Sequence, residues 1–130
     1  MDKKTKILVI EDDITLNKIY QTKLGVMGYE VAPAYNGEEA VAKAKSEMPD
    51  LILLDLMLPK KSGFDVLTEI KADESTKDIP VIILSNLGQE EDVKRGLEMG
   101  AIDFLTKSNI KLVDVVKKIQ DILIKYKVQS

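Results

Sequence analysis

The residue types best suited to chemistry in this sequence are carboxylates, one serine and one lysine, each placed after a short apolar run. The carboxylates follow the runs ILVI and LILL, and they are Glu11, Asp12, Asp13 and Asp55. Ser85 follows the run VIIL, and Lys107 follows IDFL after one intervening threonine. Because several ionised carboxylates cannot lie close together without a counter-charge, a cation is implied beside Lys107. Hard oxygen ligands predict that this cation is Mg²⁺ in octahedral geometry.

The composition excludes several other kinds of chemistry. The 130 residues include no Cys and no His, which excludes disulfides, thiol nucleophiles, imidazole metal sites and a phosphohistidine on this chain. The 19 Lys and Arg against 22 Asp and Glu give a net charge of −3, and the two signs are interspersed, so we expect no direct nucleic-acid partner. No apolar run approaches the ~20 residues of a membrane span, and the first run is too short for a signal peptide. We therefore expect a cytoplasmic protein with no membrane partner.

The apolar runs that precede these residues predict strands. Continuous apolar runs of this length are typical of strands buried on both faces of a parallel sheet, and they cover residues 7–10, 51–54, 81–84 and 102–105. A fifth, weaker strand is predicted at 29–34, where Pro33 favours an edge position.

Helical spacing fills the segments between and after the strands. The first helix has one apolar stripe, formed by Leu16, Ile19, Tyr20, Leu24 and Met27. The second is predicted at 38–48, the third begins near Ser62, the fourth ends at Gly100, and the fifth spans 112–126. The alternation predicts one α/β domain over residues 1–130, with a five-stranded parallel sheet and five helices on both faces. In such sheets ligands bind beyond the carboxyl ends of the strands.

Taken singly, each polar residue also has an ordinary interpretation. One of Asp12 and Asp13 is suited to cap the next helix, Asp55 alone is a common loop residue, and a lone Lys107 is usually a solvated charge. The combination at four strand ends is what favours a site.

Four segments together resemble the receiver domain of two-component response regulators: ILVIEDD, LILLDLMLPKKSG, VIILSN and GAIDFLTKS. The resemblance covers about residues 6–126. It implies a flavodoxin-like sheet with strand order 2-1-3-4-5, an order that the residues alone do not establish. It also implies a phosphorylation-activated regulator of the single-domain chemotaxis or sporulation type. Its partners would be a histidine kinase or histidine phosphotransfer protein and a downstream protein target.

The resemblance also implies the metal ligands. Asp12 resembles the direct Mg²⁺ ligand, and Glu11 resembles a ligand that acts largely through water. Asp55 would contribute a carboxylate oxygen and Met57 a backbone carbonyl.

The catalytic residues implied by the resemblance are Asp55, Ser85 and Lys107. Asp55 would be the phosphoacceptor, while Ser85 and Lys107 would contact phosphoryl oxygens. The protein would catalyse only its own phosphoryl transfer and slow autodephosphorylation. Phe104 lies at the aromatic switch position, where the family more often has Tyr. Ser108 stands where the family usually has Pro, and a cis bond before a residue other than Pro costs ~3–4 kcal/mol.

Three other functions are compatible with parts of this pattern. A haloacid-dehalogenase-type enzyme needs a second Asp two residues after the nucleophile, where this chain has Met57. A flavodoxin-like nucleotide module is disfavoured because the glycines form neither a G-x-G-x-x-G motif nor a P-loop. The remaining alternative is a receiver-fold interaction module that is never phosphorylated. Only residues 127–130 follow the fifth helix, and the sequence leaves open whether the chain is a stand-alone regulator or an excised receiver.

Two further expectations concern apolar side chains. The wide apolar face of the fifth helix, which includes Val113 and Tyr126, is compatible with a phosphorylation-dependent homodimer. Met57 and Leu87, two positions after Asp55 and Ser85, predict a long-lived phosphorylated state, because neither side chain can orient an attacking water.

Overall fold

The computed structural model describes the backbone of residues 4–129 and the side chains of residues 4–126, and strands and helices alternate through this part of the chain. The five parallel strands are β1 (Lys6–Ile10), β2 (Glu30–Ala34), β3 (Leu51–Leu54), β4 (Val81–Ser85) and β5 (Asp103–Thr106). They form one sheet in the order β2-β1-β3-β4-β5. The predicted fold class and the strand order implied by the resemblance are both confirmed.

Five helices connect and follow the strands. They are α1 (Ile14–Val26), α2 (Gly37–Glu47), α3 (Gly63–Ala72), α4 (Glu90–Glu98) and α5 (Leu112–Gln129). A short 3₁₀ turn (Lys107–Asn109) lies between β5 and α5. The N-cap of α1 is Asp13, whose Oδ1 accepts a hydrogen bond from the backbone N–H of Leu16 at 3.0 Å. Among residues 4–129, no helix has the length and apolar composition to cross a membrane.

The sheet separates two hydrophobic cores. Alternate residues of β1 point to opposite faces, with Leu8 and Ile10 in the core under α2 and α3, and Ile7 and Val9 in the core under α1 and α5. β3 and β4 lie in the middle of the sheet and are buried on both faces, which explains their unbroken apolar sequences. β2 forms an edge, as the proline at position 33 predicted.

The predicted element ends differ from the observed ones by one to a few residues. β4 includes Ser85, and β5 begins at Asp103 instead of Ile102. The ends of an element depend on its last hydrogen bonds, which an apolar pattern does not specify.

The predicted apolar stripe of α1 was wrong at two positions. Ile19 is 44% exposed and Met27 is 42% exposed, whereas the polar Asn17 is fully buried in the same helix. The face of α1 that meets the sheet is narrower than a stripe of five residues, because one flank of the helix remains in solvent.

The wide apolar face predicted for α5 is also divided between core and solvent. Its buried members are Val115, Val116, Ile119, Ile122 and Leu123. Of its other members, Val113 is 61% exposed and Tyr126 is 39% exposed. The phosphorylation-dependent homodimer stays a prediction.

Candidate functional site

The side chains singled out from the sequence meet at the carboxyl ends of four adjacent strands. Glu11 and Asp12 follow β1, Asp55 follows β3, Ser85 ends β4, and Lys107 follows β5. Because β1, β3, β4 and β5 are neighbours in this order, the strand ends form one continuous edge.

Three carboxylates form the acidic part of the site. One oxygen each of Glu11, Asp12 and Asp55 lies within 4.8 Å of the other two. Glu11 and Asp55 are buried, and Asp12 is exposed at the mouth of the site. Three hard oxygen donors at this spacing fit Mg²⁺, which commonly keeps several waters and binds only one or two protein carboxylates directly. The exposed Asp12 leaves solvent access for such waters.

Lys107 supplies a positive charge to the two buried carboxylates. Its Nζ donates to an oxygen of Glu11 and, at 2.8 Å, to Oδ2 of Asp55. The Lys107 side chain is 17% exposed, so this contact is largely removed from solvent. Pairing of this kind is what allows the two carboxylates to share a buried site.

Burial and ion pairing shift the pKa of Glu11 in opposite directions, and the same holds for Lys107. Burial raises the pKa of Glu11 above its ordinary value, although the hydrogen bond from Lys107 opposes this effect. Burial by itself lowers the pKa of Lys107, but hydrogen bonds to Asp55 and Glu11 outweigh it and leave that pKa raised. Lys107 is therefore held in its charged form.

Asp55 has hydrogen-bonded contacts on both carboxylate oxygens. Its Oδ1 accepts from the Ser85 hydroxyl at 2.9 Å and from the backbone N–H of Met57 at 3.1 Å. The Ser85 hydroxyl in turn accepts from the backbone N–H of Leu87 at 3.3 Å. Together with the Lys107 contact, these bonds fix the orientation of the Asp55 carboxylate.

Two of the other predicted positions lie at the periphery of the site. The Met57 side chain is 58% exposed, while its backbone lies beside Asp55. Phe104 is partly buried and packs against the core under α3. The peptide bond between Lys107 and Ser108 is trans, as are the other peptide bonds of the described residues.

Asn17 positions the end of β1 and was missed by sequence reasoning as a site residue. Its buried amide Nδ2 donates to the carbonyls of Glu11 at 3.0 Å, Val9 at 3.3 Å and Ala34 at 3.3 Å. These bonds hold the backbone of Glu11 and its neighbours in place. The available signal was a residue of weak helix propensity between the apolar Leu16 and Ile19.

Gly63 positions the loop that follows Asp55. A Cβ at this glycine would lie 2.3 Å from the Leu56 Cα and 2.6 Å from the Asp55 carbonyl oxygen. The first turn of α3 therefore packs directly on the backbone of Asp55 and Leu56. The Gly63 N–H also donates to the Leu56 carbonyl at 2.9 Å. A side chain at position 63 would displace this loop.

Comparison with known proteins agrees with this geometry. The family model of the response regulator receiver domain matches residues 7–120. A probable transcriptional regulator, ycf27 of Guillardia theta, is 41% identical over 107 residues, which cover 82% of this chain and 41% of the relative. The DNA-binding dual master transcriptional regulator RpaA of Synechocystis is 45% identical over 102 residues, which cover 78% of this chain and 42% of the relative. The chain thus spans about two fifths of the length of these two relatives.

Solved structures show the same fold. A CheY-like response regulator receiver domain protein from Methanospirillum hungatei has a TM-score of 0.90 and 26% identity, covering 98% of this chain and 100% of that chain. The phosphorylated cyanobacterial phytochrome response regulator RcpA has a TM-score of 0.83 and 35% identity, covering 94% of this chain and 95% of that chain.

Proposed function

The chain belongs to the family of response regulator receiver domains, and we propose that within it Asp55 accepts a phosphoryl group from a phosphohistidine of a partner protein. Receiver domains are generally signalling modules without an enzymatic activity of their own, and they interact with histidine kinases and downstream effectors. The observation that carries the proposal is the set of contacts to Asp55, a buried carboxylate held by Ser85, Met57 and Lys107 at the edge of an acidic group.

The proposed transfer is a nucleophilic displacement at phosphorus. A carboxylate oxygen of Asp55 attacks the phosphorus, the bond from phosphorus to the imidazole nitrogen breaks, and that nitrogen keeps the electron pair and remains with the donor. The product on this chain is an acyl phosphate. Lys107 stands beside the attacking group with its positive charge, and Ser85 offers a hydroxyl to a phosphoryl oxygen once the Asp55 oxygen is esterified.

Receiver domains bind Mg²⁺ at an acidic pocket, and four residues of this chain are suited to hold the ion. The carboxylates of Glu11, Asp12 and Asp55 would hold the ion, with the Met57 backbone carbonyl as a further oxygen ligand. When bound, Mg²⁺ supplies positive charge to the phosphoryl oxygens during the transfer.

In the proposed reaction the physiological phosphoryl donor is a phosphohistidine of a partner protein. Since the chain contains no His, the phosphohistidine belongs to a histidine kinase or a histidine phosphotransfer protein. The phosphorylated domain would then act on a downstream protein target. Catalysis by the domain itself would be limited to this transfer and to slow autodephosphorylation.

Intact-mass measurement after incubation with Mg²⁺ and acetyl phosphate tests the acceptor assignment. Wild type is expected to gain one phosphoryl group, and Asp55→Asn is expected to gain none. Asp121→Asn, which changes an exposed carboxylate of α5, is the matched control and is expected to label like wild type. Asp12→Ala is expected to lose the labelling that depends on Mg²⁺, because a proposed ligand is removed.

Two results would contradict the proposal. Undiminished labelling of Asp55→Asn would place the acceptor elsewhere. An absence of labelling in the wild type would instead favour the interaction module that is never phosphorylated.

A further inference from the structure

Lys71, in the last turn of α3, is a partly buried lysine without a carboxylate partner. It forms no ion pair with another of the residues that the structure describes. Its Nζ donates instead to two backbone carbonyls, that of Lys77 at 3.0 Å and that of Ile79 at 2.9 Å. Both carbonyls belong to residues 73–80, which join α3 to β4 and which we name the α3–β4 connection. A partly buried amine without a counter-charge is typical of a nucleophilic lysine.

Lys71 lines a cavity of about 430 Å³ at the amino ends of β4 and β5. Pro80, Gly100 and Ile102 also line it. Gly100 has a φ of +110°, and a Cβ at this position would lie 3.4 Å from the Cγ, Cδ and Cε of Lys71. A cavity of this volume lies in the range that holds small-molecule ligands. Because it is at the opposite end of the sheet from Asp55, it is separate from the acidic site.

The surroundings of Lys71 favour the neutral amine over the ammonium. Burial lowers the pKa of Lys71 below its ordinary value, and the negative charge of Asp78 opposes this effect. The other titratable residues that line the cavity are Lys77, which pairs with Glu74 at 3.1 Å, and Tyr126. An ammonium has three N–H donors, and loss of one proton leaves two donors for the two carbonyls and a lone pair on nitrogen. The neutral amine therefore keeps both hydrogen bonds and gains a nucleophilic lone pair.

We propose that Lys71 is a modification site, that small acyl phosphates which enter this cavity acylate its Nζ, and that acylation loosens the α3–β4 connection. The neutral amine attacks the carbonyl carbon of the acyl phosphate, and the bond from that carbon to the phosphate oxygen breaks. Inorganic phosphate leaves with the electron pair, and the amine proton passes to solvent. This reaction differs from the phosphorylation proposed for Asp55, in which the attack is at phosphorus, and it does not depend on that proposal.

The effect on the α3–β4 connection follows from the loss of donors. An acylated Lys71 has one N–H and no positive charge, so the carbonyl of either Lys77 or Ile79 is left without its donor. Ile79 is 8% exposed, so water replaces little of that hydrogen bond. The amide N–H of Ile79 in turn donates to the Thr76 carbonyl at 3.0 Å. We expect the backbone amides of residues 73–80 to exchange with solvent about tenfold faster after acylation.

Incubation of the full chain with acetyl phosphate tests the reactivity of Lys71. Peptide mapping by mass spectrometry gives the acetylation rate of each lysine, and a blocked lysine peptide in the same tube is the internal reference. Lys94, whose side chain is 76% exposed, is the matched lysine of the protein. At about pH 7, Lys71 is expected to react about threefold faster than Lys94 and than the peptide, because burial favours its neutral amine. As the pH is raised, its rate should level off at a lower pH than the rate of the peptide.

Two variants separate this modification from phosphorylation and from effects at other lysines. Asp55→Asn should show the same acetylation of Lys71 as wild type, because the two residues lie at opposite ends of the sheet. Lys71→Arg keeps the positive charge but has no nucleophilic amine at this position. Hydrogen exchange of residues 73–80 should therefore be the same in treated and untreated Lys71→Arg, whereas treatment should accelerate it in wild type. Hydroxylamine, which cleaves acyl phosphates but not amides, should remove a phosphoryl group and leave the acetyl group.

Three results would overturn the inference. The first is acetylation of Lys71 that is no faster than that of Lys94 at about pH 7. The second is a rate that rises with pH in parallel with the reference peptide. The third is unchanged hydrogen exchange of residues 73–80 in acetylated wild type. A failure of phosphoryl labelling at Asp55 would count against the proposed function alone, because the acetylation of Lys71 is measured on a different peptide.

Discussion

Replacing Lys107 by Met tests whether this lysine is what allows two carboxylates to be buried together. Met keeps the unbranched apolar chain but removes the ammonium that contacts both groups. The side chain of Glu11 is 3% exposed and that of Asp55 is 7% exposed, so solvent replaces little of the lost interaction. The variant therefore leaves two buried carboxylates without their shared positive charge.

The expected loss of folding free energy follows from this burial. Removing one partner of a buried ion pair costs about 3–5 kcal/mol. Because Lys107 itself is 17% exposed, we expect about 2–4 kcal/mol in the absence of Mg²⁺. Part of the loss is relieved when a carboxylate takes up a proton.

The direction of the pH dependence follows from Glu11. Its pKa is raised in the folded protein by burial, and loss of the Lys107 hydrogen bond raises it further. A group whose folded-state pKa is raised contributes stability below its unfolded-state pKa and loses that contribution as the pH rises through the folded-state value. The deficit of Lys107→Met relative to wild type should therefore be larger at about pH 8 than at about pH 5.

Urea unfolding in the presence of EDTA, monitored by circular dichroism, measures the loss of folding free energy and its dependence on pH. Lys94→Met is the matched control, because Lys94 is 76% exposed and lies 4.0 Å from Glu98. Its effect should lie within the error of the measurement. Because a ligand that binds only the folded protein stabilises it, Mg²⁺ added in excess of EDTA is expected to restore part of the lost stability. The reasoning is refuted if Lys107→Met is no more destabilising than Lys94→Met, or if its deficit does not change with pH.

Three further predictions concern packing, positioning and lifetime. Gly96→Ala in α4 should destabilise the protein by about 1 kcal/mol in thermal melts, because the added Cβ would lie 2.6 Å from the core side chain of Ile83. Gly25→Ala in α1 should instead stabilise the protein by up to ~1 kcal/mol, because no atom lies within 4 Å of the added Cβ and Ala has the higher helix propensity. Asn17→Ala should lower the urea-unfolding free energy by about 2 kcal/mol and weaken Mg²⁺ binding in calorimetry, because three backbone carbonyls lose a buried donor. An unchanged Mg²⁺ affinity in Asn17→Ala would show that Asn17 does not position the metal site. Met57→Asn and Leu87→Glu should shorten the lifetime of phosphorylated protein, by up to ~10²-fold if they orient an attacking water; equal decay rates would contradict the predicted shielding.

The sequence by itself determined where the central strands lie and which polar residues stand near their ends. Apolar runs of four residues located the central strands to within a residue, because strands buried on both faces leave few positions for polar side chains. Glu11, Asp55 and Lys107 were identifiable because each interrupts the apolar pattern near a strand end. Parallel strands bring such ends to the same edge of a sheet. The order of the strands, by contrast, came from the family resemblance and not from the pattern.

Only the tertiary structure decided which side chains touch and which remain in solvent. The contact between Lys107 and Glu11 joins residues 96 positions apart, and it exists because the parallel crossover connections bring the carboxyl ends of β1 and β5 to the same end of the sheet. The buried Asn17 and the exposed Ile19 are two residues apart on one helix, and the apolar period alone would exchange their environments. The spacing of residues along a helix shows only which of them share a face. Whether that face is buried depends on the neighbours that pack against it, which only the tertiary structure shows.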